Sequence, residues 1–442
     1  MREVLSPRYW CEAMPWPRAE APGTDPVLPA RIRAAAPGWA PASLARGTGL
    51  GWTWLAPCSP APTGAPIRPT RDPTQPWNQT RVARLLGITH PIIQGPLGGL
   101  SSQRLTAAVS NAGGLGSFGA HGLEPSAISA VIAQLRTLTA QPFAINLWVS
   151  MEDPDAQASS EAAFQRSRAS LAGQLAALGA PQPAYAPYTP LSFTAQVRAL
   201  IDAKAPVFSF IYGIPPREIL EECRRVGIVT LGTATTPEEA VALDQAGVDA
   251  IVASGFEAGG HRGSFLRSAE ESLTGTMVLV PRICDLIERP VIAAGGIADA
   301  RGIVAAFALG AEAVQIGTAF LACEESGASR LHRDTLLSGQ AGWTGLTHGF
   351  TGRLARGVAN PLLRSLNQPE VAILPYPLQR VLMRSVAIPA ERAGRADLMQ
   401  LWAGQGADLS RITDATALMR HLIDGVSAIA GPVLAWNADR RT

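Results

Sequence analysis

Residues 252–265 read VASGFEAGGHRGSF and place His261, one of six histidines among 442 residues, directly after Gly259 and Gly260. Imidazole exchanges a proton near neutral pH, so His261 is a candidate general base or hydrogen-bond donor. Two glycines before it let backbone approach a flat ligand closely, because no Cβ stands in the way. A lone histidine in a glycine loop is more often incidental than catalytic. Its standing therefore rests on what the fold brings beside it.

Two further stretches carry chemistry of a different kind. VIAAGGIADARG puts Gly295 and Gly296 where a strand meets a helix, and VQIGTAF puts Gly317 and Thr318 at the next strand end. Bare backbone N–H groups at such junctions stabilise a phosphate without Lys or Arg. For either pair alone, a tight turn explains the glycines equally well; together, on adjacent strands, they favour phosphate. Asn146 in INLWV is either a satisfied core amide or a hydrogen-bonding partner for a ligand's polar edge. GLGSFG (114–119) fits the dinucleotide pattern G-x-G-x-x-G, but a helix precedes it and a strand follows. The Rossmann motif requires the reverse order, so that reading is rejected.

The elements that must position these residues are strands alternating with helix-length Ala/Leu-rich stretches. Apolar runs at 91–96, 115–120, 142–149, 206–213, 228–233, 250–256, 290–296 and 313–321 predict eight strands. TPEEAVALDQAG opens with a threonine, a proline and two acids, the signature of a helix start. Eight strands, each followed by a helix, predict an α/β fold of the TIM (β/α)8 barrel type over 88–325, with a doubly wound open sheet as the competing topology. All the candidate loops then fall at the C-terminal strand ends, the catalytic face of such barrels. Extra material is expected in 157–200, and residues 326–436 are expected to form a helical domain covering the active-site face.

Residues 1–80 are rich in Pro, Ala and Arg and predict a disordered extension. The first twenty residues lack the unbroken apolar stretch of a signal, so a plain extension is expected there rather than a targeting segment. With Lys+Arg 37 against Asp+Glu 35, no basic field exists to hold nucleic acid. The most apolar run is broken by glycine and carries Glu312 and Gln315, so no membrane span is expected. Five scattered cysteines, without C-x-x-C, argue against a disulfide framework or zinc site and for a cytoplasmic location.

PIIQGPLGGLSS, NAGGLGSFGA, PFAINLWV, GFEAGGHRGSF, PVIAAGGIADARG, VQIGTAFLACEESGA, FTGRLARGVANP and LWAGQGA, in this order, resemble the nitronate monooxygenase family, formerly called 2-nitropropane dioxygenases. The resemblance spans about 88–436. It implies a TIM barrel with an added helical domain and non-covalent FMN, oxidising alkyl nitronates such as propionate 3-nitronate with molecular oxygen to a carbonyl compound and nitrite. Carried over residue by residue, it implies that Gly95, Pro96 and Leu97 pass along the isoalloxazine ring and that Asn146 hydrogen-bonds it. Gly259 and Gly260 lie beside the flavin, and Ala293, Gly295, Gly296, Gln315, Ile316, Gly317 and Thr318 cradle the phosphate. His261 matches the catalytic histidine, and Gln405 is assigned to the substrate pocket. Ser254 stands where the family commonly has Gln or an acid, which leaves one flavin contact in doubt. A small-molecule partner and a monomer or homodimer are expected. The rival reading is a flavin-dependent enoyl-ACP reductase using NADH, a related barrel that shares the EAGGH type of loop.

Overall fold

The computed structural model describes residues 76–185, 188, 190–409 and 411–438. Most of the expected N-terminal extension, residues 1–75, lies outside the described residues. The strands are β1 (Ile92–Gln94), β2 (Gly116–Gly119), β3 (Phe143–Trp148), β4 (Val207–Ile211), β5 (Val229–Ala234), β6 (Ala250–Ser254), β7 (Gly260–His261), β8 (Val291–Ala294), β9 (Ala313–Ile316), β10 (Thr344–Thr347) and β11 (Ala355–Val358). Each of the eight apolar runs forms one strand of a parallel sheet in the order β1-β9-β8-β6-β5-β4-β3-β2. A parallel bridge between Ile93 and Leu115 joins the two outer strands. The sheet is therefore a closed TIM barrel rather than an open doubly wound one.

Side chains alternate between the barrel axis and the surrounding helices, as strand geometry demands. The lower part of the axis is apolar, with Ala144, Val207, Leu231, Val252 and Ala313 in one buried cluster. Two residues further along their strands, the inward positions become Asn146, Ser209, Thr233, Ser254 and Gln315, all facing a cavity. The barrel thus has a packed floor and a polar mouth. The expected helix start at 236 forms as read: Thr236 caps the helix Pro237–Gln245 by accepting from Glu239 N, with Pro237 in the first turn.

The ordered domain begins earlier than residue 88. The helix Arg81–Leu86 sends Val82 and Leu86 into the floor cluster, closing the N-terminal end of the barrel. Arg81 pairs with Glu312, just ahead of β9, and Trp77 stacks on His90 with ring centroids 5.7 Å apart. Residues 76–80 are consequently structured, contrary to the expectation for 1–80. Burial of one aromatic and two aliphatic side chains outweighs the breaker-rich composition around them.

Beyond β9 the chain makes a long excursion and then returns. The last helix, Ala415–Ala438, packs Leu418, Met419, Leu422 and Val426 into the shell between barrel and helices. Gly425 lies so near the helix Ala300–Ala308 that a Cβ there would sit 2.7 Å from Ala300 Cβ. This helix supplies the eighth position of the outer ring, so the cover over the mouth is the stretch before it. That cover includes strands as well as helices: β10 pairs antiparallel with β11, and β11 with β7. Among the described residues, no helix is long and apolar enough to cross a membrane.

Candidate active site

The C-terminal mouth of the barrel holds a cavity of about 360 Å³, within the ~300–1,000 Å³ range of cofactor and ligand pockets. Of the residues assigned from sequence, Gly95, Pro96, Leu97, Asn146, Ser254, Gly259, Gly260, His261, Gly295, Gly296, Gln315, Gly317 and Thr318 line it. Three do not. Ala293 and Ile316 belong to the cluster that faces the outer helices, while their neighbours Ala294 and Gln315 face the cavity. A one-residue step along a strand reverses the face, so Ala293 and Ile316 can offer only backbone; the Ile316 carbonyl accepts from Gly95 N at 2.8 Å. Gln405 is exposed, and its backbone N donates to the Glu257 carbonyl at 2.9 Å. Its place in the lining is taken by Gln400 and Trp402.

The loop after β6 is held from below by two buried polar residues. Arg262, beside the candidate base, turns under the loop and donates to the carbonyls of Ser254, Thr235 and Ser272. Its burial lowers the guanidinium pKa to about 10, against the pull of Glu239 and Glu257. The Glu239 carboxylate accepts from Thr235 N and Oγ1 at 2.6 and 2.7 Å and from Phe265 N at 2.6 Å. Such charge-assisted contacts fix a loop that glycine alone would leave free.

The two glycines of this loop serve different ends. A Cβ on Gly259 would lie 2.5 Å from Gly404 N, so its bareness is demanded by the cover rather than by a ligand. Gly260 has φ 79°, and a Cβ there would meet nothing within 4 Å. Gly260 therefore leaves its space to the cavity. Gly317 does the same at the end of β9, and Gly295 and Gly296 both take left-handed backbone, with φ 109° and 71°. Asn146 Nδ2 donates to Ser209 Oγ at 3.0 Å, and the residue lines the cavity.

His261 sits in β7, pinned to β11 of the cover by backbone pairing with Ala355. Its Nε2 lies 2.8 Å from Thr351 Oγ1, and that hydroxyl lies 3.4 Å from the Arg353 carbonyl. With the threonine proton directed at the carbonyl, Nε2 carries the imidazole hydrogen and Nδ1 keeps its lone pair. The ring meets Trp148 edge-on at 4.9 Å and Trp402 at 5.2 Å. The residue is half-buried and lines the cavity. Burial, then Arg353 and Arg380, push its pKa down to about 3, so the ring is neutral at pH 7.

The description "Nitronate monooxygenase" matches residues 79–425. The chain belongs to the nitronate monooxygenase family. It is 38% identical over 354 residues to a probable nitronate monooxygenase from Staphylococcus aureus (strain N315), covering 80% of this chain and 99% of that one. Among solved structures it is similar to a nitroalkane oxidase from Streptomyces ansochromogenes, with 37% identity, TM-score 0.72, and 80% and 99% of the two chains covered. FabK from Thermotoga maritima aligns with 29% identity and TM-score 0.63 over 81% and 99%. As a member of this family the chain is an oxidoreductase, and the family implies a flavin as cofactor class.

Several cavity residues were not singled out from sequence. His121, in FGAHGL after β2, stacks on Trp148 with ring centroids 3.9 Å apart. Burial and Arg380 hold its pKa well below the usual histidine value. Thr351, Arg380, Gln400 and Trp402 come from the cover. His121 could have been found by the rule that located His261, a polar residue at a C-terminal strand end. The cover residues have no such signal, because only tertiary folding brings them over the mouth. Burial pushes the thiols of Cys223, Cys284 and Cys323 up to about 11, 12 and 12, which removes them as nucleophiles.

Proposed function

We propose that this chain oxidises alkyl nitronates, propionate 3-nitronate among them, with molecular oxygen and FMN, giving a carbonyl compound and nitrite. The observation that carries the proposal is His261, its imidazole held below its ordinary pKa by burial, on the wall of a cavity that glycine backbone, Trp148, Trp402 and the polar ends of the barrel strands also line. The residues present fit a flat cofactor bearing a phosphate. Gly260 and Gly317 leave open the space that side chains would fill, and Gly295 and Gly296 present bare left-handed backbone at the neighbouring strand end. Gly95, Pro96, Leu97 and Asn146 would flank the ring system, and Gly295, Gly296, Gly317 and Thr318 would hold the phosphate. Thr318 Oγ1 accepts from Gly404 N at 2.9 Å, which leaves its hydroxyl proton for an anion.

A bound flavin would supply the redox chemistry, accepting electrons from the nitronate and giving them to oxygen. The protein's part is orientation and proton control. Trp148 and Trp402 wall the substrate beside His261 and keep bulk water from it. If a neutral nitroalkane enters, His261 Nδ1 accepts its α-proton, and the imidazolium then balances the new anion. With a preformed nitronate no proton need move, and Arg380 on the cavity wall leaves the mouth electropositive toward an anionic substrate.

Aerobic incubation of the FMN-loaded protein with ethyl nitronate or propionate 3-nitronate, read by nitrite release, tests the proposal. Nitrite formation supports it. NADH oxidation with an enoyl thioester and no nitrite from either nitronate would replace it with the reductase reading.

A further inference from the structure

Thr351 meets His261 from the cover, and what holds Thr351 in place lies at the surface. The chain reverses between β10 and β11 in a turn that folds around His348. The His348 carbonyl accepts from Thr351 N at 3.2 Å and from Gly352 N at 2.7 Å, and its ring places Nδ1 2.9 Å from the Gly352 carbonyl. Gly352 has φ 101°, and a Cβ there would lie 2.4 Å from Tyr376 N, so the far side of the turn is packed against backbone.

The other ring nitrogen reaches across to the barrel. His348 Nε2 lies 2.6 Å from Oε1 of Glu270, the first residue of the short helical turn Glu270–Ser272. Ser272 accepts from Arg262, at its hydroxyl from Nε at 3.2 Å and at its carbonyl from Nη2. Arg262 follows His261 directly. The contacts thus close a ring from His261 through Arg262, Ser272, Glu270, His348 and Thr351 back to His261. The two groups facing the His348 ring, a carbonyl and a carboxylate, only accept, so the imidazolium form completes both bonds. The side chains of His348 and Glu270 are 44% and 55% exposed, and such a surface pair adds little to global stability. Its consequence is local: it fixes the turn that carries the Thr351 hydroxyl.

We infer that His348, clasped to Glu270, is a positioning residue that holds Thr351 Oγ1 against His261 Nε2 and so keeps Nδ1 of the imidazole free to take a proton. The assignment rests on the nitronate-oxidation reading and deepens it, because it places control of proton abstraction outside the cavity. Neither His348 nor Glu270 lines that cavity.

The test compares kcat of the FMN-loaded wild type, His348→Ala, His348→Gln and Glu270→Ala on nitroethane, which must lose its α-proton, and on preformed ethyl nitronate, which need not. The ratio of the two kcat values falls roughly 3- to 10-fold in His348→Ala and in Glu270→Ala, the range set by one hydrogen bond. His348→Gln, whose amide can still donate to Glu270, recovers part of the loss. A general defect of folding or flavin loading lowers both rates and leaves the ratio as it was. Nitrogen-15 NMR of histidine-labelled protein, with His261 assigned by its absence in His261→Asn, gives a second readout. In the wild type His261 carries its hydrogen on Nε2, and in His348→Ala its two resonances move toward a mixture of tautomers. Unchanged ratios in both alanine variants together with unchanged His261 resonances overturn the assignment. Wild type that releases no nitrite from either compound overturns the underlying reading instead, and the His261 resonances then still report on the clasp.

Discussion

His261 Nε2 and Thr351 Oγ1 lie 2.8 Å apart and join the loop after the sixth barrel strand to the cover. Ninety positions separate them in sequence. With the threonine proton on the Arg353 carbonyl, the contact puts the ring hydrogen on Nε2 and leaves Nδ1 as the proton acceptor. Thr351 is thus a positioning residue. Replacing it with Val lowers kcat for nitroalkanes roughly 5- to 10-fold, the worth of about one hydrogen bond, and Thr351→Ser restores it. A Val variant whose kcat is unchanged on nitroethane contradicts this role.

The depressed histidines make stability depend on pH with a definite sign. His261 falls from 6.5 to about 3 and His332 from 6.5 to about 4, both chiefly through burial. The unfolded chain therefore binds protons before the folded one does as pH drops. Their contribution is complete above pH 6.5 and is lost as pH falls toward 4 and then 3. Thermal midpoints measured from pH 8 to 4 should decline through that window, and less steeply in His332→Phe.

Two glycine substitutions separate packing from ligand space. Gly259→Ala puts a methyl 2.5 Å from Gly404 N and 2.6 Å from Ala403 C. Backbone cannot yield as a side-chain tip does, so we expect a loss of about 1–3 kcal/mol in urea unfolding. At Gly317 a Cβ meets nothing within 4 Å, so Gly317→Val adds its side chain on the cavity wall without a backbone clash at its first carbon. It should fold with an unchanged thermal midpoint yet purify with less flavin, measured as the ratio of absorbance at visible and ultraviolet maxima.

The barrel floor gives a prediction independent of chemistry. Leu86 is buried beneath the barrel axis, and Leu86→Ala should cost about 2–5 kcal/mol. Flavin content per folded molecule stays constant, because the helix Arg81–Leu86 closes the end opposite the cavity.

The eight barrel strands were legible because each is a continuous apolar run buried on both faces, a pattern that survives without tertiary information. His261 and the glycines of the strand-end loops were legible for a related reason: in a barrel, the C-terminal end of every strand points to one place. The floor helix was hidden by its setting, since Val82 and Leu86 follow a proline-rich block and their burial depends on the barrel above them. β10 and β11, TGLT and ARGV, carry Thr, Gly and Arg in place of an apolar run and lie outside the strand–helix alternation, so they did not register as strands. Arg380, Thr351 and Trp402 acquire meaning only when the excursion before the last helix folds back over the mouth. Gln405 shows the complementary error, for in a tight turn the residues on either side of it, Gly404 and Gly406, face inward while it faces out.

The central claim is that His261 and the bound flavin act on one substrate in one cavity. Anaerobic mixing of the FMN-loaded protein with propionate 3-nitronate and, separately, nitroethane, followed by admission of oxygen and a nitrite assay, tests it most directly. The account predicts bleaching of the flavin before oxygen and nitrite after it. His261→Asn should slow bleaching by nitroethane roughly 100-fold or more, as loss of a general base does. Flavin that stays oxidised with both substrates in the wild type, or His261→Asn that bleaches with nitroethane as fast as the wild type, would contradict it.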